Sequence, residues 1–129
     1  MAKTIYYIPL VTGARTEYRK VSAEDSTYLL NQMMRGLVKM ATLSNTTNDD
    51  YKELRDIWWR KRRKTLPKGR DGQNSPESFI AGVLDNMLYA TNQQRDVTAV
   101  QCEALEDIFN WLTAFDSGIE AIRFQIKVI

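Results

Sequence analysis

The chain has 129 residues, of which 43% are hydrophobic and 26% charged, with one cysteine and no histidine. That size and balance suit a single domain spanning residues 1–129 with a core of its own, and they argue against disorder. A Ser/His/Asp triad, a Cys/His pair, a zinc site and an internal disulfide are all excluded by the missing histidine and the lone Cys102.

The chain opens with a short apolar run over 5–11, interrupted by Pro9. It is too short for a signal peptide or a membrane span, so the expected setting is the cytoplasm, with no membrane partner. Residues 3–11 are rich in β-branched and aromatic side chains and predict a strand. Thr12-Gly13-Ala14 predicts a turn, and residues 15–21 a polar strand returning from it. Pro9 has no amide donor, which predicts a free edge or a bulge at that point. Ser22, with Asp25 three positions on, opens a helix carrying Leu29, Leu30, Met33, Met34, Leu37, Val38, Met40 and Ala41. So wide an apolar arc predicts burial on more than one side, with the methionines as core filler.

Thr47 and Asp50 predict the start of a second helix, with Tyr51, Leu54, Ile57 and Trp58 on its inward face. Pro67 and Gly69 predict its end. Ser75-Pro76-Glu77 is a strong third start, followed by Phe79, Ile80, Val83, Leu84, Met87 and Leu88 at helical spacing up to Asn92. Thr98 with Gln101 predicts the cap of a fourth helix that turns Leu105, Ile108, Phe109, Leu112 and Phe115 inward and ends before Gly118. Ile122, Phe124, Ile126 and Val128 alternate with polar residues, the pattern of a half-buried strand. The order is β-β-α-α-α-α-β. It predicts an α+β fold in which the N-terminal hairpin and the C-terminal strand form a small antiparallel sheet packed with about four helices.

Charge supplies the functional signal. Seven of the eleven residues from Arg60 to Arg70 are basic and none is acidic, whereas the rest of the chain sets 11 basic residues against 16 acids. The formal net charge of +2 therefore hides a cationic block on an acidic body. Trp59 lies off the inward face beside Lys52, Arg55 and Arg63, where a ring can stack on a nucleobase or on its own arginines. Cations at a helix C-terminus also complement its dipole, but capping accounts for two or three of them, not seven. The candidate anion-binding residues are Arg55, Trp59, Arg60, Lys61, Arg62, Arg63, Lys64, Lys68 and Arg70, with Arg62 close to the apolar arc.

Lys68-Gly69-Arg70-Asp71-Gly72 matches neither the P-loop nor the dinucleotide pattern and reads as a plain loop. Carboxylates at Asp49, Asp50, Glu53 and Asp56, and again at Glu103, Glu106 and Asp107, read as first-turn and solvated acids. Cys102, with no histidine to help form a thiolate, reads as an inert buried thiol. No catalytic constellation, metal site or cofactor is predicted.

Two functions follow. The first is a small non-catalytic protein that binds DNA or RNA through the basic helix end and loop over 60–70, contacting phosphates without reading bases. The alternative is a protein-interaction module, an inhibitor or adaptor of the kind phages also encode, whose basic helix docks on an acidic partner surface. A homodimer through an edge strand or an apolar helix face is also expected.

Overall fold

The computed structural model describes residues 3–12, 15–20, 23–66, 75–89 and 97–126, with side chains over 27–66, 75–85 and 99–124. In chain order the elements are β1 (Lys3–Thr12), β2 (Arg15–Lys20), α1 (Ala23–Ser44), α2 (Asp49–Arg62), α3 (Pro76–Tyr89), β3 (Val97–Thr98), α4 (Ala99–Leu112) and β4 (Ile122–Ile126). Among these, no helix is long and apolar enough to cross a membrane. The Gly13-Ala14 turn, the Ser22 cap, the stop at Pro67 and Gly69, the 68–72 loop and the end of the third helix at Asn92 lie outside the described residues.

The small, wholly antiparallel sheet expected from the sequence is not what forms: the strands pair in a mixed arrangement, and helices dominate the fold. The protein is mostly helical: 73% of the residues with described side chains belong to four helices, and one short strand, β4, lies among them. Backbone pairing follows the order β3-β2-β1-β4, antiparallel from β3 to β1 but parallel between β1 and β4, with Lys3 opposite Ile122 and Tyr7 opposite Ile126. Alternating side chains in 122–128 dictate a strand but carry no direction. Direction is set by where α4 and the turn after it deliver the chain. The two-residue β3 was also unforeseen, because Thr98 reads equally well as a helix cap.

α4 is the central helix. Its Ala104, Leu105, Ile108, Phe109 and Leu112 are fully buried, and Cys102 nearly so. Leu29, Met33 and Met40 of α1 are buried in the same core, and α1 approaches α4 at Gly36. A Cβ there would stand 3.1 Å from Phe109 Cε1 and 3.3 Å from Leu112 Cδ1, so the bare backbone sets the distance between the two helices. The wide arc of α1 is not buried all round, however. Met34 and Val38 remain exposed, which corrects the expectation of a helix covered on several sides.

α3 begins as its sequence demands, with Ser75 Oγ accepting the Ser78 amide at 3.1 Å, and it buries Phe79, Ile80 and Val83. The cap of α2 falls one residue later than expected: Asn48 Oδ1, not Thr47, accepts the Tyr51 amide at 3.0 Å. Ile57 points outward at 45% exposure, because Trp58 takes the inward position beside it.

A polar knot ties α1, α2 and α3 together. Glu77 accepts hydrogen bonds from Tyr51 Oη, from Ser44 Oγ at 3.2 Å and from Arg55 Nε, which spans both carboxylate oxygens at 3.0 and 3.1 Å. Burial opposes ionisation of Glu77, but the Tyr51 hydroxyl, its own backbone amide and Arg55 outweigh it and hold the carboxyl below its ordinary 4.5. Burial and the bond to Glu77 push the Tyr51 phenol in the other direction, upward.

A carboxyl lowered in the folded state contributes stability that is complete above its unfolded value and is lost as pH falls through the folded one. Glu77→Gln should therefore lower the urea midpoint at pH 7. The gap between the two proteins should narrow once pH falls below 4.5, and comparing midpoints at pH 7 and about pH 3 checks the sign.

Candidate functional site

Trp58 determines which way the cations of α2 point. Its indole Nε1 donates to the Ala104 carbonyl of α4 at 3.2 Å, and its ring lies 5.5 Å from that of Phe79 on α3. Four residues later, about one turn along the same face, comes Arg62. The helix therefore carries Arg62 inward, where it is only 8% exposed. Its Nε and Nη2 reach Asp107 Oδ2 at 3.0 and 2.7 Å, and Nη1 reaches Glu103 Oε2 at 3.4 Å. A buried guanidinium is tolerated because these two acids of α4 satisfy it.

Two more of the candidate cations face acids. Lys61 Nζ stands 3.5 Å from Asp107 Oδ2, and Arg55 is held on Glu77. Trp59 is half-buried against the core, which leaves part of the ring open to solvent. Arg60, Arg63 and Lys64 are exposed. Among the described residues none of these three forms an ion pair, and Arg60 Nε makes only a 3.4 Å contact to the Asp56 carbonyl one turn back. Lys68 and Arg70 lie outside the described residues.

The basic block is thus divided by the fold. Arg55, Lys61 and Arg62 are drawn onto carboxylates of α3 and α4, while Arg60, Arg63 and Lys64 keep their charge toward solvent. The acids of α4 that read as solvated in the sequence in fact serve partly as internal counter-ions. Only the closeness of Arg62 to the apolar arc signalled this pairing. Where α2 ends, Arg63 donates its amide to the Trp59 carbonyl at 2.9 Å as the C-cap, which places these side chains by the negative end of the helix dipole.

Elsewhere, Cys102 is buried, and burial pushes its thiol up, with Glu106 and Glu103 adding to the shift. Such a thiol stays protonated and unreactive. Among the described residues no three His, Cys, Asp or Glu side chains gather to hold a metal ion. An open hollow of about 440 Å³ lies at the start of α2, between Leu43, Asn48, Tyr51 and Arg55. A second, of about 400 Å³, runs along α1.

No protein-family model matches the chain, and no curated protein and no solved structure matches it.

The inward and outward cations should respond differently to truncation. Arg62→Ala removes the partner of Glu103 and the closer of the two cations on Asp107, and should cost about 1.5–3 kcal/mol of stability in urea denaturation. Arg63→Ala, one residue on but exposed, should stay within about 0.5 kcal/mol of the parent.

Proposed function

We propose that the protein is a non-catalytic module that binds nucleic acid through the C-terminal end of α2. The observation that carries this reading is the contrast within one helix end. Among the described residues, Arg60, Arg63 and Lys64 stay exposed without a carboxylate partner, although acids only one helix away capture their neighbours. Lone cations held together at high local density favour a ligand that brings closely spaced negative charge, and a phosphate backbone does so. Lys68 and Arg70 follow within a few residues in the sequence and extend the same charge. Binding of this kind is salt-dependent and poor in base preference, since nothing in the set reads base edges.

Docking on an acidic protein surface is the second reading. It draws on the same three cations and is favoured by one detail: half-burial of Trp59 leaves less ring for a base to stack on.

Titration of labelled mixed-sequence DNA and RNA against salt separates the two. Log K for the intact chain should fall linearly with log salt, by roughly 0.7–0.9 per phosphate contact. Replacing Arg60, Arg63 and Lys64 by Ala should flatten that slope by up to about three contacts while the melting curve holds. Absence of salt-sensitive binding at low ionic strength would overturn the nucleic-acid reading in favour of the acidic protein.

A further inference from the structure

The side of α1 turned away from the core has no described partner, and its composition is unusual for a solvated helix face. Met34 and Val38, one turn apart, are 52% and 67% exposed. Ala41, also exposed, lies beside them. An exposed valine contributes nothing to the core and is a poor helix former, because its branched Cβ loses rotamer freedom against the preceding turn. From Ser26 to Asn48 the chain carries no acid, and its only charged residues are Arg35 and Lys39. Both line the hollow of about 400 Å³ that also contains Met34, Val38 and Thr42, with Asp116 as the single acid among its described lining residues.

That acid is already engaged. Arg35 Nη2 and Nε hold Asp116 at 2.8 and 3.1 Å, and this bond, with the Gly118 amide, brings the carboxyl down to about 2. Asp116 in turn fixes the Arg35 guanidinium at the rim, half-exposed, beside Lys39. The surface is thus a shallow apolar hollow with adaptable Met34 on its lining and an excess of positive charge on its border.

We infer that this face of α1 docks an acidic amphipathic helix of a partner protein. Two apolar anchors one turn apart on such a helix match Met34 and Val38, and carboxylates flanking them match Arg35 and Lys39. A second copy of this chain fits poorly. A two-fold axis across the face would bring Arg35 and Lys39 against their own copies, and two large apolar side chains fall well short of the roughly 800 Å² per partner that a stable dimer buries. The surface is separate in sequence and in charge pattern from the end of α2, so it stands whether or not nucleic acid binds there.

The test uses the full chain and two labelled helical peptides of about five turns, each with leucines at i and i+4. One carries glutamates on the flanking positions and the other carries lysines. Fluorescence anisotropy should show saturable binding of the acidic peptide and none of the basic one. Val38→Glu, on an exposed site that leaves the thermal melt unchanged, should weaken acidic-peptide binding roughly tenfold or more. Lys39→Glu should weaken it too, while strengthening the basic peptide. Equal binding of both peptides, no binding of either, or indifference to Val38→Glu would overturn the proposal. A dimer mass in sedimentation that Val38→Glu reduces to a monomer would assign the face to a second copy instead.

Discussion

The rotation of α2 about its own axis is set by one side chain, and the surface chemistry of the protein follows from it. Trp58 combines a ring packed against Phe79 with an indole N–H committed to the Ala104 carbonyl. Burying a tryptophan without that hydrogen bond is costly, so the helix has little freedom to turn. At about 100° per residue, Tyr51 and Arg62 share the face of Trp58, whereas Arg60, Arg63 and Lys64 fall about 140–240° away from it. A single indole therefore sorts a run of identical-looking cations into structural and available ones.

This sorting explains why the charge census of the sequence is only half informative. The cationic block and the acidic remainder of the chain are not two independent surfaces. Part of one neutralises part of the other across the seam between α2 and α4, through Arg62 and Lys61 on Asp107 and through Arg62 on Glu103. An ion pair with one partner buried is stabilising only when the geometry satisfies most of the donors, and the Arg62 fork meets that condition. The charge that remains outside is smaller than the sequence suggests, and more sharply localised.

Much of the helical body was legible from residue spacing. Periodic apolar residues and the Ser75-Pro76-Glu77 start mark α3, and the burial of Trp58, Leu105, Ile108, Phe109 and Leu112 follows from helical periodicity. What was not legible depends on tertiary placement. The direction of β4 cannot be read from alternation, and the cap of α2 at Asn48 competes with an equally suitable Thr47. Exposed Met34 and Val38 looked like core because an apolar arc gives no sign of how many neighbours exist to cover it. At the candidate site the number of cations was evident and their partners were not. Pairing depends on which helix lies alongside, and that is information carried by residues some 45 positions away.

The turn after α4 has a further consequence, for the order in which the chain assembles. Asp116, Gly118 and Glu120 are clipped to α1 by Arg35, Gln32 and Tyr28. The Arg35 guanidinium lies so close over Gly118 that a Cβ there would stand 2.1 Å from Nη2. These bonds join residues 81 to 92 positions apart, a separation that encloses α2, α3 and α4. Helices can nucleate from local contacts, but a clip across so long a loop bears a large closure entropy, which favours its forming after the local helices. Contacts that form late in folding bear on how slowly a folded protein opens more than on how fast it forms.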